Sequence, residues 1–305
     1  MRKEVIKLKT RYLIMVLITI LGISIGYSSL NTELRVSGEA TIKKQNFASY
    51  LITDLYENDG KNNLYYHDGT GNYINANYEA ADYSYRFSGA NPNNFVCFGS
   101  NEEICPLNNL YRIIGIFNGQ VKLIKYTTYG NYAWDTNREN IWFTSDIKTS
   151  LENYYFLFDS YWQNLIDVVT WKVGGTYGTD KYNVKDYFQS EIVENDVYDE
   201  FYVGLMYVTD YGYASSPENW NTALIDYNVD LNVKNNWLYF GAYEWTISRF
   251  VDSNDFVFGV NASGYVSYGG TISIEVDVRP CFYLKKDVSY LGGNGTKENP
   301  YRVVN

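Results

Sequence analysis

Few side chains in this chain of 305 residues could support catalysis. The only histidine is His67, in the segment YYHDGTGN, where glycine and aspartate predict a loop. A histidine-based metal site or a catalytic triad needs partners within reach of the ring, and the chain has no second histidine to offer. We therefore expect no metal site, no cofactor and no histidine-dependent catalysis.

The three cysteines predict a structural role rather than a reactive one. Cys97 and Cys105 bracket the polar segment FGSNEEI, and in an oxidising exterior such spacing predicts a short-loop disulfide. Two free thiols are the alternative. Cys281, in VRPCFYLKKDV, has apolar neighbours, and we predict that it is a small apolar residue of the last core strand.

Two acidic clusters are candidate catalytic pairs, because glycosidases need only two carboxylates. Residues 196, 199 and 200 form one cluster, and residues 252 and 255 form the other. Clusters on polar loops are usually solvated surfaces, which is our prediction for both. One structural Ca²⁺ held by clustered Asp and Asn side chains is a further possibility, although no EF-hand spacing is present. The segment GGNGTKENPY lacks the Gly-Lys-Ser/Thr of a phosphate loop and predicts a turn.

Charge is distributed unevenly along the chain. The net charge is −10, with +4 on residues 1–11, none on residues 12–30 and −14 on residues 31–305. An acidic body repels phosphate backbones and anionic lipid. We therefore expect no nucleic-acid partner for the folded part.

The N-terminal segment predicts the compartment. Residues 12–30 form an uncharged apolar run directly after the basic segment, an order typical of a secretory signal or signal anchor. The run is just long enough to cross a bilayer, which needs about 20 residues. Small residues near Ser28 would also permit cleavage there. We predict that residues 1–30 are a signal peptide or membrane anchor, and that the protein faces outward from the membrane or is secreted.

Apolar spacing predicts several helices. A short helix is expected at 47–55, and a weaker one at 184–193. Two stronger helices are expected between them, with Thr144 or Ser145 available to cap the first and Gly174-Gly175 ending the second. Their predicted apolar faces are Ile147, Leu151, Tyr154, Tyr155 and Phe158 in the first, and Trp162, Leu165, Ile166, Val169 and Val173 in the second.

Strand signals flank these helices. Two β-rich runs, 111–117 and 120–126, surround Asn118-Gly119, which predicts a two-residue hairpin. The apolar run 203–208 predicts a buried central strand, and DFVFGVNASGYVSY predicts a second hairpin. TISIEVDV alternates Ile272, Ile274, Val276 and Val278 with polar residues and predicts a strand with one buried face.

The order of strands, helices and strands indicates an α+β fold. We predict three parts: the signal or anchor of residues 1–30, a stalk strand at 31–45, and one large ectodomain at 46–305 with an irregular front at 46–95. The ectodomain is expected to hold an antiparallel sheet with two or three helices.

Several segments in order resemble an uncharacterised family of Gram-positive surface proteins. These segments are YRFSGANPNNFVCFG, YRIIGIFNGQVKLIK, NIWFTSDIKTSLENYY, TWKVGG, VGLMYVTDYGYASS, NNWLY, YEWTIS, VRPCFYLKKDV and GGNGTKENPYRV. GYSSLNTELRVSGEATI similarly resembles the start of many surface proteins of low-GC Gram-positive bacteria. Relatives often carry a cysteine pair within the region that corresponds to 215–236. This chain has none there, and we expect Trp220 and Trp237 to hold the loop by packing.

The resemblance implies a C-type-lectin-like fold, related to that of the formylglycine-generating (sulfatase-modifying factor) enzymes. Those enzymes use copper-binding cysteines, whereas Cys281 lies alone, so their chemistry is not expected here. The sugar-binding Glu-Pro-Asn and Trp-Asn-Asp signatures of C-type lectins are also absent.

In lectin-like folds the late loops build the ligand face, and Tyr and Asn side chains suit such a role. We predict a ligand-binding surface from Tyr239, Tyr243, Arg249, Asp252, Asn254, Tyr265 and Tyr268. The expected function is non-catalytic recognition or adhesion at the bacterial cell surface. The expected partner is an extracellular protein or glycan, with the membrane contacted through residues 12–30. The alternatives are an extracellular enzyme of the formylglycine-generating or glycosidase type, and a structural fibre or biofilm component.

Overall fold

The computed structural model describes Met15 and residues 44–58, 62–70, 73, 75–178, 180–268 and 273–305. The predicted anchor and stalk strand therefore lie outside the described residues, except for Met15, Lys44 and Gln45. The part from Lys44 to Asn305 forms one compact unit. Its described helices are each too short or too polar to span a bilayer.

Strands dominate the described chain. They are β1 Leu64–His67, β2 Ser84–Phe87, β3 Phe95–Cys97, β4 Leu110–Phe117, β5 Gln120–Lys125, β6 Gly130–Tyr132, β7 Val169–Lys172, β8 Tyr198–Phe201, β9 Val203–Gly204, β10 Glu244–Arg249, β11 Val257–Val260, β12 Val266–Tyr268, β13 Val276–Val278, β14 Cys281–Tyr283, β15 Ser289–Gly292 and β16 Tyr301–Val304.

The helices are short. They are α1 Phe47–Tyr50, which continues as π-helix over Leu51–Asn58, α2 Asp146–Tyr155, α3 Ser160–Gln163, α4 Val184–Phe188, which continues as π-helix over Gln189–Val193, α5 Val208–Tyr213 and α6 Val229–Asn235. The mixed α+β class expected from the sequence is confirmed, with sheet predominating.

Two sheets organise the described chain. The larger has the order β15-β16-β3-β4-β5-β14-β9, with β2 paired to β4 and β1 paired to β2. The smaller has the order β12-β11-β10-β13-β6, and β7 and β8 form a separate pair. Most pairings are antiparallel, while β16 with β3 and β10 with β13 are parallel. Because both faces of the β4–β5 region are covered, its residues are almost all buried.

The central hairpin forms as the sequence predicts. Asn118 and Gly119 have φ values of 48° and 77°, the left-handed pair that a two-residue hairpin turn requires. The helix predicted over 147–158 forms as α2, capped by the Ser145 side chain, which accepts a hydrogen bond from the Lys148 backbone N–H. The hairpin of β11 and β12 and the helix starting at Val184 are also confirmed.

The helix predicted over residues 160–173 is wrong beyond its first turn. Only α3 is helical, and residues 169–172 form strand β7 against β8. The run from Val168 to Trp171 has two valines, a threonine and a tryptophan, which favour a strand over a helix. Pairing with β8 therefore outweighs the helical spacing of the apolar residues.

The long central strand predicted over residues 203–208 is also wrong. These residues are buried as expected, but strand β9 ends at Gly204 on the edge of the large sheet. Helix α5 begins at Val208, with Asp210 accepting a hydrogen bond from the Tyr207 backbone N–H. A continuous apolar run identifies burial, and it cannot distinguish a strand from a buried helix.

Three smaller expectations need correction. The strand predicted over TISIEVDV begins only at Val276. Ile274 is exposed rather than buried, and Ile272 lies outside the described residues. His67 lies in β1 and is fully buried, not in a loop. The strand of Cys281 lies inside the sheet, between β5 and the edge strand β9, and it is not the last strand, because two more follow it in the chain. Cys281 is a buried free cysteine, as predicted.

Candidate functional site

The seven late-loop residues predicted to bind a ligand fall into two groups at opposite ends of β10. The register of β10 against β11 shifts between Trp245 and Arg249, so the two ends of β10 pair with residues only three steps apart on β11, Val260 and Val257. At about 3.3 Å per step the groups lie roughly 10 Å apart. The structure therefore does not bring the seven side chains to one point. Each group is a separate surface.

The first group is Tyr239, Tyr243 and Tyr265. The Tyr239 hydroxyl donates to the Ala262 carbonyl over 2.7 Å, so this ring holds the β11–β12 turn. The Tyr243 ring lies 5.5 Å from that of Trp245. Burial raises the pKa of Tyr243 to about 12, and Tyr265 adds to the shift. These three rings are half-buried and pack against the hairpin of β11 and β12.

The second group surrounds the loop after β10. Arg249 Nε donates to the Gly174 carbonyl over 2.8 Å, and the Tyr268 ring stacks on Phe250 with centroids 4.0 Å apart. Asp252 and Asn254 are exposed. Asp255 is also exposed, so this acidic cluster is solvated, as the sequence predicts. This face stays a predicted binding surface.

A concave space lies elsewhere, next to the loop that the disulfide closes. Its volume is about 450 Å³. It is lined by Gly99, Asn108, Asn109, Tyr111, Lys125, Thr128, Tyr129, Tyr154, Leu157, Phe158, Asp159 and Trp162. We call this space the disulfide-side cavity. Three segments build it: the end of β5 with the turn after it, the loop beyond the disulfide, and the region from α2 to α3.

The floor of the cavity carries a buried amine. Lys125 is the last residue of β5, and its Nζ donates to the backbone carbonyl of Asn108. Burial lowers the pKa of this ammonium group to about 8. At neutral pH this amine is therefore still mostly protonated, and it loses its proton at a lower pH than an exposed lysine does.

Three tyrosines line the cavity with this amine, and the Tyr111 ring centroid lies 5.4 Å from Lys125 Nζ. Tyr111 on β4 and Tyr154 on α2 share a hydrogen bond between their hydroxyls, and burial raises the pKa of both groups. The Tyr129 ring stands edge-on to Tyr154, with centroids 4.8 Å apart, and stacks on Tyr132. Burial, aided by a hydrogen bond with Tyr132, raises the pKa of Tyr129 to about 12. These phenols stay neutral and can donate or accept hydrogen bonds.

The predicted disulfide is confirmed, and residues that follow each of its cysteines, Gly99, Asn108 and Asn109, form one wall. Cys97 and Cys105 are bonded, with Cα atoms 5.8 Å apart. Gly99 follows with φ 88°, and a Cβ there would lie 2.6 Å from Asn109 Nδ2 and 3.1 Å from the Phe158 ring. Glycine is favoured at this position because it adopts a positive φ without strain. The disulfide thus fixes the loop that presents Asn108 and Asn109.

The opposite wall is aromatic. Phe158 and Trp162 pack edge-on against Phe98, with ring centroids 5.3 Å and 5.0 Å away. Asp159 caps α3 by accepting hydrogen bonds from the backbone N–H groups of Tyr161 and Trp162. Leu157 is 69% exposed at the rim.

This arrangement is suited to binding. It offers aromatic faces, amides, hydroxyls and one ammonium group around a concave space, the usual composition of a small-molecule site. Asp159 is the one carboxylate among the described lining residues, whereas hydrolysis of a glycosidic bond uses two. In the described part of the chain, no three His, Cys, Asp or Glu side chains lie together in a way that could hold a metal ion.

The cavity was missed in the sequence because its residues come from distant segments. One feature of the sequence could have indicated the cavity, and it is Lys125. It and Lys122 are charged residues within a strand whose apolar neighbours indicate burial on both faces, and a buried lysine needs a partner or a function. The acidic residues near 199 are not part of the cavity. Asp199 pairs with Lys148 over 2.7 Å, while Asp196 and Glu200 are exposed.

Comparison of the chain with protein-family models, with curated proteins and with solved structures found no match.

Proposed function

We propose that this protein is a non-catalytic recognition protein of the bacterial cell surface, which binds a saccharide in the disulfide-side cavity. The single observation that carries the proposal is the composition of the cavity: aromatic rings and amide or hydroxyl groups face one space of about 450 Å³. A sugar has apolar C–H faces that pack on rings and hydroxyls that pair with amides and phenols.

Specific side chains fit the two kinds of contact. Tyr129 and Phe158 are half-buried, so part of each ring is open to a ligand. Asn108 is exposed, and its side chain forms no hydrogen bond in the described part of the chain. Lys125 keeps two further N–H donors beyond the one used by the Asn108 carbonyl. A saccharide can therefore bind without breaking the fold's own hydrogen bonds.

An extracellular location is part of the proposal. The confirmed disulfide suits an oxidising compartment. The basic segment and apolar run of residues 1–30 fit a signal peptide or an outward-facing anchor. The mixed sheet with short helices is compatible with the lectin-like fold and the Gram-positive surface family that the sequence segments resemble.

A glycan array tests this function. Full-length protein, solubilised in mild detergent and fluorescently labelled, should bind a small chemically related subset of immobilised bacterial and host glycans. Excess free glycan of the same type should abolish the signal. Absence of binding to any glycan, with the disulfide intact by mass spectrometry, would reject the proposal.

A further inference from the structure

A second cavity, of about 280 Å³, lies between the end of α2 and strand β8. We call it the tyrosine-pair pocket. It is lined by Glu152, Tyr155, Phe156, Val168, Glu200, Phe201, Tyr202 and Val203. None of these side chains belongs to the predicted late-loop binding residues, and none lines the disulfide-side cavity.

Aromatic rings form the walls of the tyrosine-pair pocket. Tyr155 and Tyr202 are stacked, with centroids 4.1 Å apart and planes 10° from parallel. Phe156 stands next to them and is 71% exposed. Val168 and Tyr202 in the same lining are also exposed, at 41% and 39%, so the side chains form an apolar patch of the kind that marks an interaction site. The faces of aromatic rings attract cations.

Two carboxylates at this pocket are available to a ligand. Glu152 and Glu200 are exposed, and neither forms an ion pair within the described residues. The Glu200 carboxylate accepts a long hydrogen bond, of 3.4 Å, from the Thr170 hydroxyl. The nearby Lys148 does not neutralise them, because Asp199 holds it over 2.7 Å. The pocket therefore has uncompensated negative charge, and the net charge of −10 adds to its attraction for cations.

From this geometry we infer that the tyrosine-pair pocket binds the side chain of an arginine on a peptide or protein partner. The planar guanidinium group stacks on tyrosine faces and donates paired hydrogen bonds to carboxylates. The alkyl stem fits against Val168 and Val203. A quaternary ammonium group would use the rings and leave the carboxylates without donors, and a lysine has no planar face to stack.

This inference is independent of saccharide binding. Leu157 faces the disulfide-side cavity and Phe156 faces the tyrosine-pair pocket, so adjacent residues serve separate spaces. Loss of one ligand is expected to leave the other unaffected.

Isothermal titration of the full-length protein tests the inference. The probes are three peptides with blocked termini, Gly-Gly-Arg-Gly-Gly and its citrulline and lysine counterparts. Arginine should bind in the high-micromolar to low-millimolar range, and citrulline, which lacks the charge, at least tenfold more weakly. The variant Glu152→Gln/Glu200→Gln should lose affinity for arginine at least tenfold. The control Glu139→Gln/Glu298→Gln, which removes two exposed carboxylates elsewhere, should change it less than twofold.

Tyr202→Ala should weaken arginine binding by a similar factor, with far-ultraviolet circular dichroism confirming the fold. Equal affinity for arginine and citrulline would overturn the inference, as would unchanged affinity in the pocket variant. Equal affinity for arginine and lysine would overturn the assignment to a guanidinium group. No measurable binding of the arginine peptide would also reject it.

Discussion

Lys122 Nζ lies 2.5 Å from Asp210 Oδ2, and both side chains are buried from solvent. Arg86 Nη1 is 3.6 Å from the other oxygen of the same carboxylate. The rings of Tyr207 and Trp171 lie 4.4 Å and 4.9 Å from Nζ. This ion pair connects β5 to α5, and β5 also carries Lys125 into the disulfide-side cavity.

Replacing Asp210 with asparagine should destabilise the protein by about 3–5 kcal/mol, because the buried Lys122 ammonium would lose its counterion, whereas Arg86 keeps Asp82 at 2.6 Å. Urea unfolding followed by tryptophan fluorescence measures the change. Lys122→Met is the matched control. Its cost should be smaller, because Arg86 continues to neutralise Asp210. A loss below about 1 kcal/mol for Asp210→Asn would contradict this account of the pair.

Removing the disulfide should affect stability and ligand binding together. The variant Cys97→Ser/Cys105→Ser should lose about 2–3 kcal/mol of unfolding free energy, since the bond closes a short loop. Because this loop presents Asn108 and Asn109, saccharide affinity should also fall. Binding of the arginine peptide should be retained. An unchanged saccharide affinity would show that the loop does not form the binding wall.

Burial of His67 predicts a pH dependence of stability. Burial lowers the pKa of His67 to about 3, and the charge of Arg86 adds to the shift. The unfolded chain, with an ordinary pKa near 6.5, binds the proton first. Stability from this group is therefore present above about pH 6.5 and is lost as the pH falls toward 3, by up to about 1.4 kcal/mol per pH unit.

The variant His67→Gln isolates this contribution from that of the carboxylates. Urea unfolding of both proteins from pH 7 to pH 4 should show a stability difference that narrows as the pH falls. Parallel stability curves for the two proteins would show that the histidine does not titrate in this way.

Cys281 should be inert as a thiol. It is fully buried, and burial raises its pKa. Cys281→Val, which preserves shape and apolar character, should change stability by less than about 1.5 kcal/mol and leave saccharide binding unchanged. Ellman's reagent should react with the wild-type thiol only in denaturant. Rapid reaction under native conditions would contradict the core assignment.

Local chemistry was sufficient to predict several elements. Asn118-Gly119 determined the central hairpin, Ser145 determined the start of α2, and the short spacing of Cys97 and Cys105 indicated their bond. In each case neighbouring residues carry the whole physical cause. Two of the errors, at 160–173 and 203–208, arose where apolar spacing indicated burial and long-range pairing decided the element.

The disulfide-side cavity and the tyrosine-pair pocket could not be predicted from neighbouring residues in the sequence. Lys125, Asn108 and Phe158 meet only after β5, the disulfide loop and α2 have packed together, and no single segment contains their pattern. Likewise, stacking of Tyr155 on Tyr202 joins a helix end to a strand. The late-loop residues predicted to form one binding surface fall into two groups at the ends of β10.

The most direct test of the account is a calorimetric titration of the best array glycan into wild-type protein and two tyrosine variants. Tyr129→Ala removes a ring from the disulfide-side cavity, and Tyr268→Ala removes one from the predicted late-loop face. The account predicts at least a tenfold loss of affinity for Tyr129→Ala and less than a twofold change for Tyr268→Ala. The reverse pattern would contradict it and would assign binding to the late loops.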